Sequence, residues 1–522
     1  MAKAQKNRAS KHPYISSNQT TIIGFESPFS QSLDLNNRWV ILAHKIPWDL
    51  LVSSYQSQMN NSQTGADGIN PRVAIGAMIL KHMCNMSDRE TVLQIQENMY
   101  MQYFIGYSSF SKEEPFDPSL FVEFRKRLGI EQINALNEKI LGLANGKEAL
   151  KQTENTNDSE HQEESNTEDD ETPHENPSEQ KETITHKGKL ITDATACPQD
   201  IAYPTDLNLL NDAREKSEEI IDTLYAEHLH KKKPRTYRIV ARKNYLMTAQ
   251  KKVKSRREIR NAVKKQLNYL RRNIKSINKL LDSYDVIPLN RRLYKYFLVI
   301  NTLYEQQQKM YEEKTHSIEH RIVSIHQPHV RPIVRGKTNA NVEFGSKINV
   351  SLMNGYAFLD DLSWDAFNEG TRLIASVEKY KKRFGYYPEE VLADKIYCNR
   401  LNRAALKLLG IKLRAKPLGR PSAVDVEHVR PGERNPIEGK FGQAKTAYGM
   451  NRIKARLRQT SESWVATIIL VLNLINLIGS GTYCLVLSVK TYSATLLRVI
   501  LCLIKKKLSI EWYNFERRIA LT

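Results

Sequence analysis

Cysteine is scarce in this chain of 522 residues. The five present (Cys84, Cys197, Cys398, Cys484 and Cys502) are scattered, odd in number and never form a C-x-x-C pair. That excludes a small disulfide scaffold and argues against a zinc site, whereas free thiols suit a reducing cytosol. The N-terminus, MAKAQKNRASKHPY, lacks the apolar core of a signal peptide. Long uncharged runs are few. The stretch from Ser463 to Val489 is long enough on paper to span a bilayer. Asn473 and Asn476 share one helical face there, however, and Gly479, Ser480 and Gly481 break the run, so we read a core helix and expect no membrane partner. With 40% apolar and 26% charged residues the chain can build real cores, which excludes fibrous and multi-span membrane proteins. At roughly 100–200 residues per domain its length implies two or three folded units.

Charge is present in excess and unevenly placed. Lys and Arg number 78 against 58 Asp and Glu, a formal net charge of +20. Such an excess asks for a polyanionic partner, nucleic acid first. Between Gln152 and Glu182 the sign reverses: acids alternate with Asn, Ser, Thr and Pro, and Lys181 is the one base. A segment without apolar residues cannot offset its ordering entropy, so 151–187 is expected to be a disordered acidic linker. From Lys231 to Arg272 it is acids that are lacking, with Glu258 alone among many Lys and Arg. Val253, Ile259, Val263, Leu267, Leu270 and Ile274 recur there at spacings that suit a helix with one buried seam. The exposed bases, Lys251, Lys252, Lys254, Arg256 and Arg257 among them, are candidates for tracking DNA phosphates.

Patterning divides the remainder. Beyond an N-terminal arm (1–43), residues 44–150 read as all-helical and basic at one end (Arg125, Lys126, Arg127), a candidate DNA-binding domain. Asn70–Pro71, Ser87 with Glu90, and Asp117–Pro118 mark helix starts. After the linker the period changes. GKLITDAT reads as a strand, a helical insertion follows at about 207–320, and strict alternation from Val342 to Leu352 gives a half-buried strand. Asn354–Gly355 signals a hairpin, with Tyr356–Leu362 returning. Then come a helix from Asp365 to Phe384, a strand (EEVLADK), a helix ended by Gly410, a strand (IKLRAK) and a helix opened by Pro436. The expected fold is an α/β domain over 188–481, a mixed sheet with a large helical insertion after its first strand, beside the all-α N-terminal region. A tail follows from 482 to 522.

That order suggests a site. Asp193 is expected at the end of the first strand and Asp394 at the end of the fourth, which lie side by side, with Glu438 in the first turn of the last helix. Three carboxylates so placed suit Mg²⁺, a hard cation that takes oxygen ligands. Two such ions can activate an attacking oxygen and stabilise a leaving one in phosphodiester chemistry. Asp206, Asp360 and Asp361 compete on chemistry alone; Asp360 and Asp361 read as loop residues. Lys445, seven residues after Glu438, shares its helical face, and Arg434 can offer a planar fork to a phosphate. Trp364 could stack on an unpaired base or cap the core beside Phe367.

Five stretches carry a family resemblance: ITDATACPQDIAYPTD, VRPIVRGKTNANVEFGSKINVSL, FLDDLSWDAFNEG, VLADKIYCNR and RNPIEGKFGQAKTAYGMNRIKARL. Over roughly 40–150 and 188–478 the chain resembles the DDE transposases of bacterial insertion sequences, with an InsH-type N-terminal domain and an RNase H-like catalytic domain. The last stretch keeps Arg434, Glu438 and Lys445 at the spacing of the family's Y-R-E-K signature, with Pro431 where its tyrosine is expected. The resemblance implies that Asp193, Asp394 and Glu438 hold two Mg²⁺ ions, with Mn²⁺ able to substitute. It further implies that a homodimer acts on double-stranded DNA, the element's terminal inverted repeats and a target, in the bacterial cytoplasm. Arg434, Lys445, Lys440, Arg335 and Lys337 are then candidate DNA contacts. The competing expectation is an inactive remnant that binds DNA as a repressor.

Overall fold

The structure, a computed structural model, describes residues 32–59, 68–142, 185–337, 340–416 and 432–477, and no side chains within 335–341. Most of the acidic linker, Pro431 and the tail after 481 lie outside the described residues.

The N-terminal region is helical as expected: α1 (Arg38–Lys45), α2 (Trp48–Gln56), α3 (Pro71–Met83), α4 (Asp88–Glu97), α5 (Met99–Phe104), α6 (Phe121–Arg127) and α7 (described over 130–142). Helix α1 runs across the expected start at residue 44. Local chemistry sets the helix starts. Asn70 accepts from the Arg72 N–H ahead of Pro71, and Ser87 accepts from the Glu90 N–H, which relieves unpaired amides in each first turn.

The sheet has six strands: β1 (Lys189–Pro198), β2 (Arg331–Lys337), β3 (Ala340–Met353), β4 (Tyr356–Ser363), β5 (Glu390–Leu392) and β6 (Lys412–Arg414). Its order is β2-β3-β1-β5-β6, with β4 also on β3. Pairings β1–β3, β2–β3 and β3–β4 are antiparallel, while β1–β5 and β5–β6 are parallel, so the sheet is mixed. The hairpin between β3 and β4 turns on Asn354 and Gly355, both at positive φ (48° and 80°), as a two-residue Asn-Gly loop should. Strand β2 adds to the expected order. Pro332 obscured it in sequence, but a proline is tolerated on a strand that pairs only with β3.

Two expectations are corrected around β4. Asp360 and Asp361 are strand residues. The register between β3 and β4 slips beside Asp360, which is buried against the Arg383 guanidinium at 2.8 Å, and Asp361 pairs with Arg372 at 3.0 Å. The helix expected from Asp365 begins only at Leu373 (α12, Leu373–Phe384), after a 3₁₀ turn at Glu369–Thr371. Residues 185–187, assigned to the linker, are ordered beside Tyr387 through the His186 bridge and the Lys187 N–H.

The insertion comprises α8 (Asp206–Leu224), α9 (Arg238–Ala249), α10 (Arg256–Leu281) and α11 (Arg291–Glu313). It has its own apolar core of Leu210, Ile221, Leu270, Ile277, Ile300 and Leu303 among others. The seam of α10 starts at Val263. Val253 is exposed because 250–255 is a connection between helices rather than helix, and Ile259 is exposed in the first turn of α10.

The chain continues through α13 (Arg400–Leu408), α14 (Asn435–Thr446) and α15 (Arg458–Leu477). Helix α15 is long and apolar enough to span a membrane, yet it is mostly buried in the protein, as the core reading requires. Asn473 both accepts from the Ala357 N–H (2.8 Å) and donates to its carbonyl (2.7 Å), fixing α15 on β4. Trp48, Tyr103 and Phe124 from the N-terminal helices share one core with Val350, Phe358 and Ile469. Ser463 donates to the Leu128 carbonyl at 2.6 Å within that joint core.

Candidate active site and nucleic-acid interface

The parallel pairing of β1 with β5 ends at Ile191 opposite Leu392. Two residues further along each chain stand Asp193 and Asp394, so the carboxylates leave the sheet at the same level. Asp193 is therefore not at the end of β1, which continues to Pro198 along β3, but at the point where β5 stops. Asp394 caps the short 3₁₀ turn that follows, accepting from the Lys395 N–H at 2.7 Å, and Asp193 accepts from the Ala194 N–H at 2.9 Å.

One side chain spans both acids. Arg434, at the start of α14, places Nη2 3.1 Å from Asp193 Oδ2 and Nη1 3.4 Å from Asp394 Oδ1. Its Nε is buried without a partner. Burial pushes the Asp193 carboxyl up to about 6, against the pull of the Ala194 N–H and of Arg434, with Glu369 and Asp394 adding to the rise. Desolvation outweighs the ion pair here, as it can for an acid in a poorly hydrated niche.

Glu369 escaped the sequence reading. It lies in the 3₁₀ turn that packs against the one after Asp394 and pairs with Lys347 at 2.8 Å. Its signal was hidden because FNEG was assigned to a helix. Beneath the acids Tyr397 is buried, donating to Asn349 Oδ1 at 3.2 Å, and Asn349 donates to Ser376 Oγ at 2.8 Å. Burial, and then the charges of Asp193 and Glu369, hold the Tyr397 phenol far above its usual range.

Glu438 lies on the exposed side of the first turn of α14, while Ile437 and Ala444 anchor that helix in the core. Lys445 is half-buried near its other end, and burial lowers the ammonium pKa of Lys440. Among the described residues no three His, Cys, Asp or Glu side chains stand close enough to hold a metal together. The structure thus joins two of the three expected carboxylates.

The DNA-contact candidates divide. Trp364 is corrected as a DNA contact, and of its two readings the structure shows the core one: it is buried with Val323 and Val330, donates to Glu462 at 2.8 Å and meets His329 edge-on at 4.4 Å, so its ring offers no face to a base. The side chains of Arg335 and Lys337 lie outside the described residues. Lys252, Lys254, Arg256 and Arg257 are exposed where α9 gives way to α10, and Lys251 is tied to Glu258 at 2.6 Å. Arg260 lies over Tyr311, and Arg272 over Tyr237 and Tyr269.

Comparison with known families bears the resemblance out. Residues 27–127 match the family described as "Transposase domain (DUF772)", and residues 391–475 match the "Transposase DDE domain". Residues 27–127 and 391–475 are thus similar to transposase domains, the second of the DDE kind. Asp394, Arg434, Glu438 and Lys445 fall inside the second match, and Asp193 precedes it. A curated relative, "Uncharacterized protein ORF8 in nfe locus" of Rhizobium meliloti, is 33% identical over 97 residues, 19% of this chain. The chain spans 46% of that relative's length. No solved structure matches.

Proposed function

We propose that this chain is a transposase that binds the terminal inverted repeats of its own element through the N-terminal helices and the basic insertion, and cuts and joins DNA strands at the β1–β5 edge of an RNase H-like sheet. The observation that carries the reading is the pair Asp193 and Asp394, brought level by adjacent parallel strands and sharing one cation, Arg434. These donors fit a hard divalent cation. They are carboxylate oxygens, and the niche between them already holds the positive charge of Arg434. Mg²⁺ is commonly held by one or two carboxylates with water and phosphate oxygens.

Asp193, Asp394 and Glu438 are the residues that would hold it. When bound, such ions activate an attacking oxygen and stabilise the leaving one. The chain's own groups do the rest. Lys440 and Lys445 offer positive charge along one helix for the scissile strand, and Arg434, whose two terminal nitrogens meet the acids, adds its charge beside them. Lys252, Lys254, Arg256 and Arg257 supply sequence-independent grip from the insertion. Joining two element ends in one reaction asks for two copies on DNA.

The test is strand cleavage by the full-length protein on a duplex carrying the DNA that flanks its gene, with and without Mg²⁺. Metal-dependent nicking at the repeat ends is the expected result. Binding to the ends without nicking at any divalent metal would instead make the protein a DNA-binding repressor.

A further inference from the structure

A second electropositive site, lined by none of the three acids, lies where the N-terminal helices meet the segment leading into α15. A cavity of about 360 Å³ has Lys81, Asp88, Arg125, Lys454, Arg456 and Trp464 in its lining, with apolar wall from Val122, Ala455 and Leu457. Two of its four cations are deeply buried: the Lys81 side chain is 1% exposed and that of Arg125 4%. Both reach the same oxygen of one acid, Asp88 Oδ1, Lys81 at 3.0 Å and Arg125 through Nη2. Lys81 also donates to the Met86 carbonyl at 2.7 Å and sits 4.4 Å from the Trp464 ring centre. Four cations therefore face one carboxylate.

Burying two cations against one anion is costly unless a further anion arrives. Two independent features point to that anion, and the electrostatics of Lys81 accompany them. The Arg125 Nε is buried and has no hydrogen-bond partner, an orphan donor on a nearly inaccessible side chain. The cavity lies at the first turn of two helices, the ten-residue α4 and the twenty-residue α15, whose N-termini favour negative charge. Lys81 is held down to about 8 by burial despite its contact with Asp88, with Arg125 and Lys454 adding repulsion. The neighbouring His82 is likewise kept neutral by burial and by these cations, so it adds no charge that would need an anion.

We propose that this cavity is a phosphate site and that a backbone phosphate of bound DNA fills it, held by Lys81 and Arg125 from inside and by Lys454 and Arg456 at the rim. The volume, roughly a dozen waters at about 30 Å³ each, takes a phosphate with part of its hydration. A free phosphate ion shares the chemistry. DNA is favoured as the source because the rim residues Lys454 and Arg456 are exposed and have open access to a duplex on that face. That choice of source rests on the transposase reading; phosphate binding does not. Its consequence is that DNA clamps the N-terminal helices onto the segment that follows α14.

The test uses the full chain and the rim double variant Lys454→Gln/Arg456→Gln, whose exposed side chains leave the fold intact. Melting is followed in inorganic phosphate against chloride at equal ionic strength, and affinity for a random duplex is followed against salt. Phosphate should raise the melting temperature of the wild type and not of the variant. The log–log salt slope of the variant should flatten by about one unit, the value for one phosphate. Stabilisation by phosphate with an unchanged DNA slope would overturn DNA as the occupant, and a flatter slope without phosphate stabilisation would overturn the cavity as the site. No effect in either arm would overturn both. Neither readout needs catalysis, so a protein that failed to cleave its element ends would leave this result standing.

Discussion

Arg434 and Asp193 meet at 3.1 Å, and the other terminal nitrogen of the same guanidinium lies 3.4 Å from Asp394, so one side chain from α14 holds the two sheet-edge acids together. Two carboxylates this close repel unless a cation separates them, and the half-buried setting strengthens that repulsion. The guanidinium and a divalent ion would thus satisfy the same demand.

The first prediction concerns that competition. Arg434→Gln removes the shared cation and should cost about 1–2 kcal/mol of stability without metal, less than a fully buried pair because Asp394 is half exposed. Ligands that bind only the folded state raise its stability by mass action. Millimolar Mg²⁺ or Mn²⁺ should therefore raise the melting temperature of Arg434→Gln more than that of the wild type. Equal shifts in the two proteins would show that Arg434 and the metal do not compete.

The second prediction separates the acids by role. Asp193→Asn and Asp394→Asn keep shape and lose charge, and each should reduce strand cleavage to background while end binding persists. Glu438 is exposed, so Glu438→Gln should change stability by no more than about 0.5 kcal/mol and still abolish cleavage. Glu369 is the control, since it stands near Asp193 but is already engaged by Lys347. If Glu369→Gln abolished cleavage and Glu438→Gln did not, the third carboxylate would be Glu369.

The parts of this fold that were legible are those set by short-range pattern. Asn354–Gly355, the capping of α3 and α4, the alternation of β3 and the neighbouring of β1 and β5 all follow from residues close in sequence or from strand order. What was hidden depends on partners far along the chain. Asp360 reads as a loop acid until Arg383 is found beside it, and Trp364 reads as a possible stacking platform until His329 and Glu462 enclose it. Glu369 belongs to the same class, and so does the ion pairing of Arg434, which the sequence offered only as a phosphate contact: both meet β1 or its neighbours only after the sheet has assembled. The joint core of α15 with the N-terminal helices is likewise a matter of tertiary packing, which no local period records.

The third prediction grades the basic residues of the insertion. Each phosphate neutralised contributes about 0.9 to the slope of log affinity against log salt. Replacing Lys252, Lys254, Arg256 and Arg257 with glutamine should flatten that slope by a few units, alike on specific and scrambled duplexes, because phosphate contacts carry no sequence information directly. Lys251→Gln should change it least, since its ammonium is committed to Glu258 at 2.6 Å. Salt titrations of single and quadruple variants check this ordering, and an unchanged slope in the quadruple variant would remove the insertion from the DNA interface.

The fourth prediction concerns pH and the packing of Trp364. His329 lies edge-on to that ring, and burial, followed by the charges of Lys295, Arg458 and Arg331, holds its imidazole down to about 4. Its Nε2 is buried without a hydrogen-bond partner, so protonation would strand a charge there. In the unfolded chain the same group titrates near 6.5. Between these values the unfolded state binds more protons than the folded one, so this contribution to stability is full above about 6.5 and is lost as pH falls toward 4. Allowing for a ring that is only half-buried, the wild type should lose about 1 kcal/mol from this group between pH 7 and pH 5. His329→Phe keeps the aromatic contact and removes the proton site, so its loss over that interval should be smaller by the same amount. Denaturant unfolding of both proteins at pH 7 and pH 5 measures the difference. Parallel losses would mean that His329 is as accessible to protons in the folded protein as in the unfolded one.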